Sequence, residues 1–343
     1  MSIGVPPSET GSHIPLLRTR LPGEFWGVTA YFNPSGSPLL KENLLEFSDA
    51  VRRQGLKLLV VEQAFGDTPF ELSPKLCDLL VQRRSSAVLW QKERLLNVGF
   101  EHLPSACDKA AWLDADLLFE NQDWVRDSAR QLESHVAVQP FEQALWLPRE
   151  RESLSADPPR GLGEGCYMPG MAAVMSERTD WRRALADYFE HGHCGFAWAI
   201  RRQVLDRHPL YDRHVLGGGD VTLAHAFYGD EDYWRGRNYS CRGMTKAEVA
   251  AIAAWSRAIY ADIQSSVAAV PGRVLHLWHG AIASRSYLDR ALILKENDFD
   301  PATDVAIDAE GCLCWNSDKP DLHRRAEAYF TARGRHTQSP QSS

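Results

Sequence analysis

A chain of 343 residues, 44% hydrophobic and 24% charged, can bury the core of one large or two smaller domains without staples. Its net charge of −7 argues against a global basic field for DNA or an anionic membrane, leaving only a local basic groove to such a partner. Seven cysteines, an odd number with no C-x-x-C and only Cys312 and Cys314 as C-x-C, argue for free thiols over a disulfide framework or a zinc ribbon.

Residues 1–20 are rich in Pro, Ser and Gly and lack the basic start and apolar run of a signal peptide. No stretch of 18 apolar residues predicts a transmembrane helix. The expectation is a cytoplasmic protein with a flexible N-terminus over 1–20 and a disordered polar tail over 336–343. Residues 26–32 (WGVTAYF) predict a first strand and 33–38 (NPSGSP) a loop. Leu40, Leu44, Leu45, Phe47 and Val51 have helical spacing and predict a helix over 39–53, ended by Gly55. The near-continuous apolar run at 56–62 (LKLLVVE) predicts a buried parallel strand. The chain thus opens β-α-β, the unit of nucleotide-binding α/β folds.

A second helix is predicted over 93–102, with Leu95, Leu96, Val98 and Phe100 as its apolar positions. A short apolar strand at 110–113 runs straight into Asp114-Ala115-Asp116. Residues 149–170 are polar and rich in Pro and Gly, which predicts a loop or insertion and a soft boundary. After a short apolar segment at 196–200, Gly217-Gly218-Gly219-Asp220 predicts a turn into a helix at 221–227. Thr245-Lys246-Ala247-Glu248 has the form of a capping box opening a helix that reaches about Ile263. Residues 274–277 are strand-like and lead into a histidine pair.

Three groups of residues carry candidate chemistry. Asp114 and Asp116, two residues apart after a buried strand, would point their carboxylates to one side and repel unless a cation sits near them. Strand carboxyl ends are where open α/β sheets bind ligands, so a divalent metal gripping a diphosphate is one meaning; solvated loop carboxylates are the other. His276 and His279 in HLWHG would face opposite sides of a regular strand. To share one ion they need the strand to end and turn there, which Gly280 permits; otherwise each is a core or surface imidazole. Imidazole suits Mn²⁺ better than Mg²⁺. Asp220, behind three glycines and ahead of a helix, is either a general base for an acceptor hydroxyl or an ordinary N-cap. Trp90 can stack on a base or belong to the core. Trp198, Trp255 and Trp278 are candidate sugar platforms if exposed.

In order, these segments resemble the β-1,4-galactosyltransferase family and its bacterial or viral relatives. WQKERLLNVGF (90–100) is similar to that family's FNRAKLLNVGF, with LLNVGF identical. Asp114-Ala115-Asp116-Leu117 matches DVDL, CGFAWAI (194–200) resembles FGGVSAL, and Gly217-Gly218-Gly219-Asp220 falls where the family has GGED. His276-Leu277-Trp278-His279 falls on its M/H-x-x-H metal motif, and Val60-Val61-Glu62-Gln63 resembles its strand ending in E-Q. The blocks keep their order from residue 26 to about 285.

The resemblance implies an α/β fold of GT-A type, a nucleotide-sugar-binding fold with a central, mostly parallel sheet flanked by helices. It implies one such domain over 21–335, with a nucleotide-binding part at 21–148 and an acceptor part at 149–335. The implied activity is that of a metal-dependent, inverting, galactosyltransferase-like hexosyltransferase that uses a UDP-sugar and Mn²⁺ or Mg²⁺. Asp116, His276 and His279 would ligate the metal, and Asp220 would be the base. Asp114, Trp90, Lys92, Gln63, Asn33 and Tyr31 would bind the donor nucleotide, with Trp90 stacking on uracil, Lys92 near the phosphates and Asp114 near the ribose or sugar. Gly195, Gly218 and Gly219 would line the sugar sites.

The chain departs from the family at Gly219 and Val221, where acidic residues flank the base, and at Leu216, where an aromatic precedes the glycines. Ala30-Tyr31-Phe32-Asn33-Pro34 replaces the P-F-R-x-R phosphate-binding run. These departures point away from N-acetylglucosamine as acceptor and leave the donor sugar open. A metal-dependent nucleotide-sugar hydrolase and a non-catalytic UDP- or sugar-binding protein are the alternatives. The acceptor hydroxyl can belong to a carbohydrate, a protein or a nucleic-acid base; the acidic charge gives nucleic acid no support.

Overall fold

The computed structural model describes residues 18–280 and 287–335. The expectations for 336–343 and for most of 1–20 therefore lie outside the described residues. The Thr19 N–H donates to the Glu133 carbonyl at 2.7 Å, and Arg201 Nη1 donates to Thr19 Oγ1 at 3.4 Å.

The chain runs β1 (Glu24–Phe32), α1 (Pro38–Arg53), β2 (Lys57–Phe65), β3 (Leu79–Ser85), α2 (Lys92–Glu101), β4 (Cys107–Leu113), β5 (Leu117–Phe119) and α3 (Trp124–Leu132). Then come β6 (Ala137–Gln139), β7 (Gln143–Trp146), β8 (Tyr167–Pro169), α4 (Met171–Glu177), α5 (Trp181–Ala184), α6 (Tyr188–His191), β9 (Ala197–Arg201) and α7 (Arg202–Arg207). It ends with α8 (Gly219–Phe227), α9 (Glu231–Trp234), α10 (Lys246–Ile263), β10 (Val267–Ala269), β11 (Arg273–His276), α11 (Tyr287–Glu296), β12 (Val305–Ile307), β13 (Leu313–Trp315) and α12 (Pro320–Arg335).

The central sheet has the order β10-β6-β9-β4-β1-β2-β3. Its neighbours are parallel except at β9, which runs antiparallel to β4 and β6. This is the mostly parallel, helix-flanked α/β architecture expected from the sequence. Strands from both sides of the loop at 149–170 enter the one sheet. A smaller sheet, β5-β11-β7-β8, stands beside it, and β12 and β13 form an antiparallel pair.

The apolar run in β2 is buried on both faces because helices cover both. Leu59 and Val61, with Val28 of β1, pack on Leu95, Leu96 and Val98 of α2. Leu58 and Val60 pack on Leu44, Phe47 and Val51 of α1. The predicted helix over 39–53 is α1, with Pro38 in its first turn, where a missing N–H costs nothing. The Thr245–Glu248 capping box is formed and α10 ends at Ile263, as predicted.

α2 lies close on the sheet because Gly99 has no side chain. A Cβ there would come within 2.4 Å of Val28 Cγ1 and 3.0 Å of Val61 Cγ2. Gly99→Ala should therefore overpack the layer and lower stability by about 1–3 kcal/mol, read as a lower urea midpoint. An unchanged midpoint would show that α2 has slack against β1 and β2.

Candidate active site

Two strand ends and two helix starts meet at the carboxyl end of β4, in the middle of the central sheet. β4 stops at Leu113 and turns through Asp114-Ala115-Asp116 into β5. In the small sheet β11 pairs antiparallel with β5, setting His276 opposite Leu117, and the Leu277 N–H donates to the Asp116 carbonyl at 2.8 Å. That ladder carries His276 to Asp116. β11 ends at His276, and Gly280 sits at φ 121°, so the chain turns where the shared-ion reading requires it to. His276 Nε2 and His279 Nε2 lie 3.6 and 3.4 Å from Asp116 Oδ2. One carboxylate oxygen and two imidazole nitrogens thus sit within 4.8 Å of one another, a donor set and spacing that fit a divalent transition metal.

The coil between the histidines is pinned from outside. Asn43 Nδ2 of α1 donates to the Trp278 carbonyl at 3.1 Å, and Trp278 Nε1 donates to Glu164 at 2.8 Å. The Arg149 guanidinium stands over the Trp278 ring at 5.2 Å. The loop at 149–170 therefore braces the histidine motif, and Trp278 is tied into that brace.

Asp114 and Asp116 do not share one cation. Asp114 belongs to a second cluster built on Lys92, at the start of α2. Lys92 Nζ lies 2.5 Å from Asp114 Oδ1 and 2.9 Å from Asp220 Oδ1. Burial by itself would lower the lysine pKa, but the Asp114 and Asp220 carboxylates outweigh it and hold the ammonium well above its usual range. Asp220 is the second residue of α8 and caps nothing. The N-cap is Gly218, with no side-chain capping bond. Gly217 and Gly218 take φ 87° and 114°, the left-handed region that glycine tolerates, and so deliver Asp220 to Lys92.

The strand opening at β9 joins the two clusters. A Cβ on Gly195 would lie 3.1 Å from Asp220 Oδ2 and 3.3 Å from His193 Nε2, so Gly195 leaves room for both. Phe196, at φ 73°, accepts the Asp114 N–H at 2.8 Å and stacks on His276 with centroids 4.7 Å apart. His193 packs on Phe196 at 4.1 Å, and its Nδ1 is bonded to the Tyr188 hydroxyl at 2.7 Å.

Trp90 stands beside this group. Its ring would be 3.4 Å from a Cβ on Gly217, it meets Phe32 edge-on at 5.3 Å, and its Nε1 donates to Glu93 at 2.8 Å. Arg290 of α11 approaches Gly217 and Gly218 from the far side. Gln63 is buried in β2, and neither polar atom of its amide has a hydrogen-bond partner among the described residues.

Tyr31 and Asn33 are not brought into the constellation. The Tyr31 hydroxyl donates to Glu71 at 2.8 Å, and its ring packs in the α1-facing core. The Asn33 amide closes its own loop through Ser37, donating to the carbonyl and accepting the N–H at 2.9 Å each. Both residues shape the end of β1.

Glu93, His193 and Phe196 carried no functional expectation. Glu93 follows Lys92 in the first turn of a helix that reads as ordinary, and nothing in the sequence places it against Gly219. Burial pushes its carboxyl up to about 7, with Lys92 opposing and Asp220 reinforcing the rise. Cys194, beside this group, is also driven up by burial, and all seven cysteines are free.

No protein-family model matches the chain, and no curated protein matches it. Among solved structures it is similar to glucosyl-3-phosphoglycerate synthase from Mycobacterium tuberculosis in complex with Mn²⁺, uridine diphosphate and phosphoglyceric acid. That likeness covers 74% of this chain and 71% of the other, at 14% identity and a TM-score of 0.38. A further structure of the M. tuberculosis synthase is similar over 87% of this chain and 89% of its own, at 11% identity and a TM-score of 0.40. The catalytic domain of Drosophila β1,4-galactosyltransferase 7 in complex with xylobiose is similar over 59% of each chain, at 15% identity and a TM-score of 0.29.

The buried Glu93 carboxyl makes stability depend on pH. In the folded chain it releases its proton near pH 7, in the unfolded chain near 4.5. The folded state therefore binds more protons between those values, and stability falls as pH rises through that window, then levels off. Glu93→Gln removes this penalty. It should be as stable as the parent near pH 4 and more stable above pH 7, by roughly 3 kcal/mol at most. Urea denaturation at both ends of the window tests this, and parallel curves for the two proteins would refute it.

Proposed function

We propose that the chain is a metal-dependent, inverting glycosyltransferase with a GT-A-type domain over 21–335, moving a hexose from a UDP-sugar to an acceptor hydroxyl. The observation that carries the proposal is the meeting of Asp116, His276 and His279 from two distant stretches, directly beside a lysine-bridged carboxylate pair. A diphosphate needs a cation at its oxygens, and the acceptor needs a base a few ångströms away; the two clusters supply both.

Asp116, His276 and His279 would hold Mn²⁺ or Mg²⁺, and Mn²⁺ suits the imidazoles better. A cation bound there would offset the charge that builds on the diphosphate as it leaves. Asp220 would accept the acceptor's proton as its oxygen bonds to C1 of the sugar, and the C1–O bond to phosphate would break with its electron pair going to UDP. One such displacement inverts the anomeric centre. Lys92 fixes the direction of both the Asp220 and the Asp114 carboxylates, and Asp114 faces the donor. The open amide of Gln63 and the ring of Trp90 are the donor contacts that remain at the base end. Gly195, Gly217 and Gly218 leave the backbone close to the substrates. The split into a nucleotide part at 21–148 and an acceptor part at 149–335 belongs to the same proposal.

Two measurements test it. Asp220→Asn should bind UDP as the parent does while turnover falls about 10²–10⁴-fold, the usual contribution of a general base; full turnover in the variant would reject Asp220 as the base. His279→Ala, read by titration calorimetry with Mn²⁺ and by UDP release from UDP-glucose and UDP-galactose, should weaken the metal. The loss should be at least the roughly 10–100-fold that removing a ligand's outer hydrogen-bond partner produces. Metal-independent UDP release would remove the metal centre from the mechanism.

A further inference from the structure

Both residues between the two histidines are fixed from outside the motif. Leu277 is buried with Leu145 and Leu147, and Leu154 and Tyr167 of the loop at 149–170 pack on the same cluster. Its N–H donates to the Asp116 carbonyl at 2.8 Å, and the His276 carbonyl accepts the Leu147 N–H at 2.9 Å. The Trp278 side chain is held by Glu164 at its indole N–H and by the Arg149 guanidinium over its ring.

Asn43 completes this brace. It lies inside α1 on the buried face, beside Leu44, Phe47 and Val51. Asparagine is a poor helix former, and a buried amide is costly without a hydrogen-bond partner. The packing of α1 on β2 gives no reason for one there. The reason lies 235 positions along the chain, where Asn43 Nδ2 donates to the Trp278 carbonyl at 3.1 Å. That carbonyl belongs to the peptide bond that leads into His279. The bond therefore sets the peptide plane from which the second imidazole departs.

We propose that Asn43 is a positioning residue for the candidate metal centre. With the brace at Trp278, it holds His276 and His279 against Asp116 before any cation or nucleotide arrives. The inference rests on reading those three residues as metal ligands and adds how the chain assembles them. Ordering the two intervening residues costs conformational entropy. In a loose coil that cost would fall on metal binding; here it is met on folding. The consequence is an order of events: the nucleotide-free chain takes up the cation, and UDP is not needed to gather the ligands.

The test is titration calorimetry of the full chain with Mn²⁺, with and without UDP. The parent should bind Mn²⁺ without UDP. Asn43→Leu keeps most of the volume but removes the donor, and should weaken Mn²⁺ about 10-fold or more, the scale seen when a ligand's outer hydrogen-bond partner is lost. Ser48→Ala removes a different buried bond of α1, to the Leu76 carbonyl, and should leave Mn²⁺ affinity at the parental value. Glu164→Ala should also weaken Mn²⁺, and Glu164→Gln, which keeps an acceptor for the Trp278 indole, should restore it. Parental affinity in a folded Asn43→Leu, an equal loss in Ser48→Ala, or Mn²⁺ uptake by the parent only with UDP each overturns the proposal and leaves the metal centre standing. If Asn43→Leu does not fold, the Glu164 pair decides, and parental affinity in Glu164→Ala overturns it. A parent that binds no Mn²⁺ with or without UDP removes the metal reading itself.

Discussion

The site depends on one buried ammonium. Lys92 stands where the first turn of α2, the end of β4 and the first turn of α8 converge, and each of the last two brings a carboxylate to it. Without a cation there, the Asp114 and Asp220 carboxylates would stand as two like charges on either side of the Lys92 position. Lys92 thus decides how the Asp114-Ala115-Asp116 turn can fold. Its first carboxylate turns to the lysine, and its second to the imidazoles of His276 and His279. Two like charges two residues apart are thus turned to two separate partners, the Lys92 ammonium and the imidazole pair.

The two centres are held in register by backbone ladders. The β5–β11 pairing aligns His276 with Leu117, and the chain entering β9 accepts the Asp114 N–H through Phe196. Phe196 then stacks on His276, while Gly195 leaves room for the Asp220 carboxylate. A shift in the β5–β11 ladder would carry His276 away from Asp116, and a shift in the chain entering β9 would take Phe196 off His276 and Asp114.

Much of this was legible in the sequence where a long local pattern specified it. The apolar run of β2, the spacing in α1 and the capping box of α10 declare themselves, because burial on one or two faces leaves a periodic trace. The grouping of Asp116, His276 and His279 was legible from residue type and from the need for a turn after His276. The strands that bring them together were not. β5, β6 and β7 have three or four residues each, too short for a period, and exist because distant partners pair with them. The local bonds of Tyr31 and Asn33 were not legible either: their polar groups close the end of β1 through Glu71 and Ser37.

Gly219 shows why a local comparison of motifs misleads at such a site. Along the chain it reads as the loss of an acidic group beside the base. In space the group is present, carried by Glu93 from another helix, and the glycine is what admits it. The exchange has physical consequences. A carboxyl carried by α8 would stand on the same first turn as Asp220, whereas one carried by α2 is held by an indole N–H, and burial pushes it up to about 7. The cluster around Lys92 therefore sets Asp114, Asp220 and a third acid that burial makes harder to ionise against one ammonium. The number of charges a site carries is set by which residues share its volume, so a missing acid in one motif is informative only after its spatial neighbours are known.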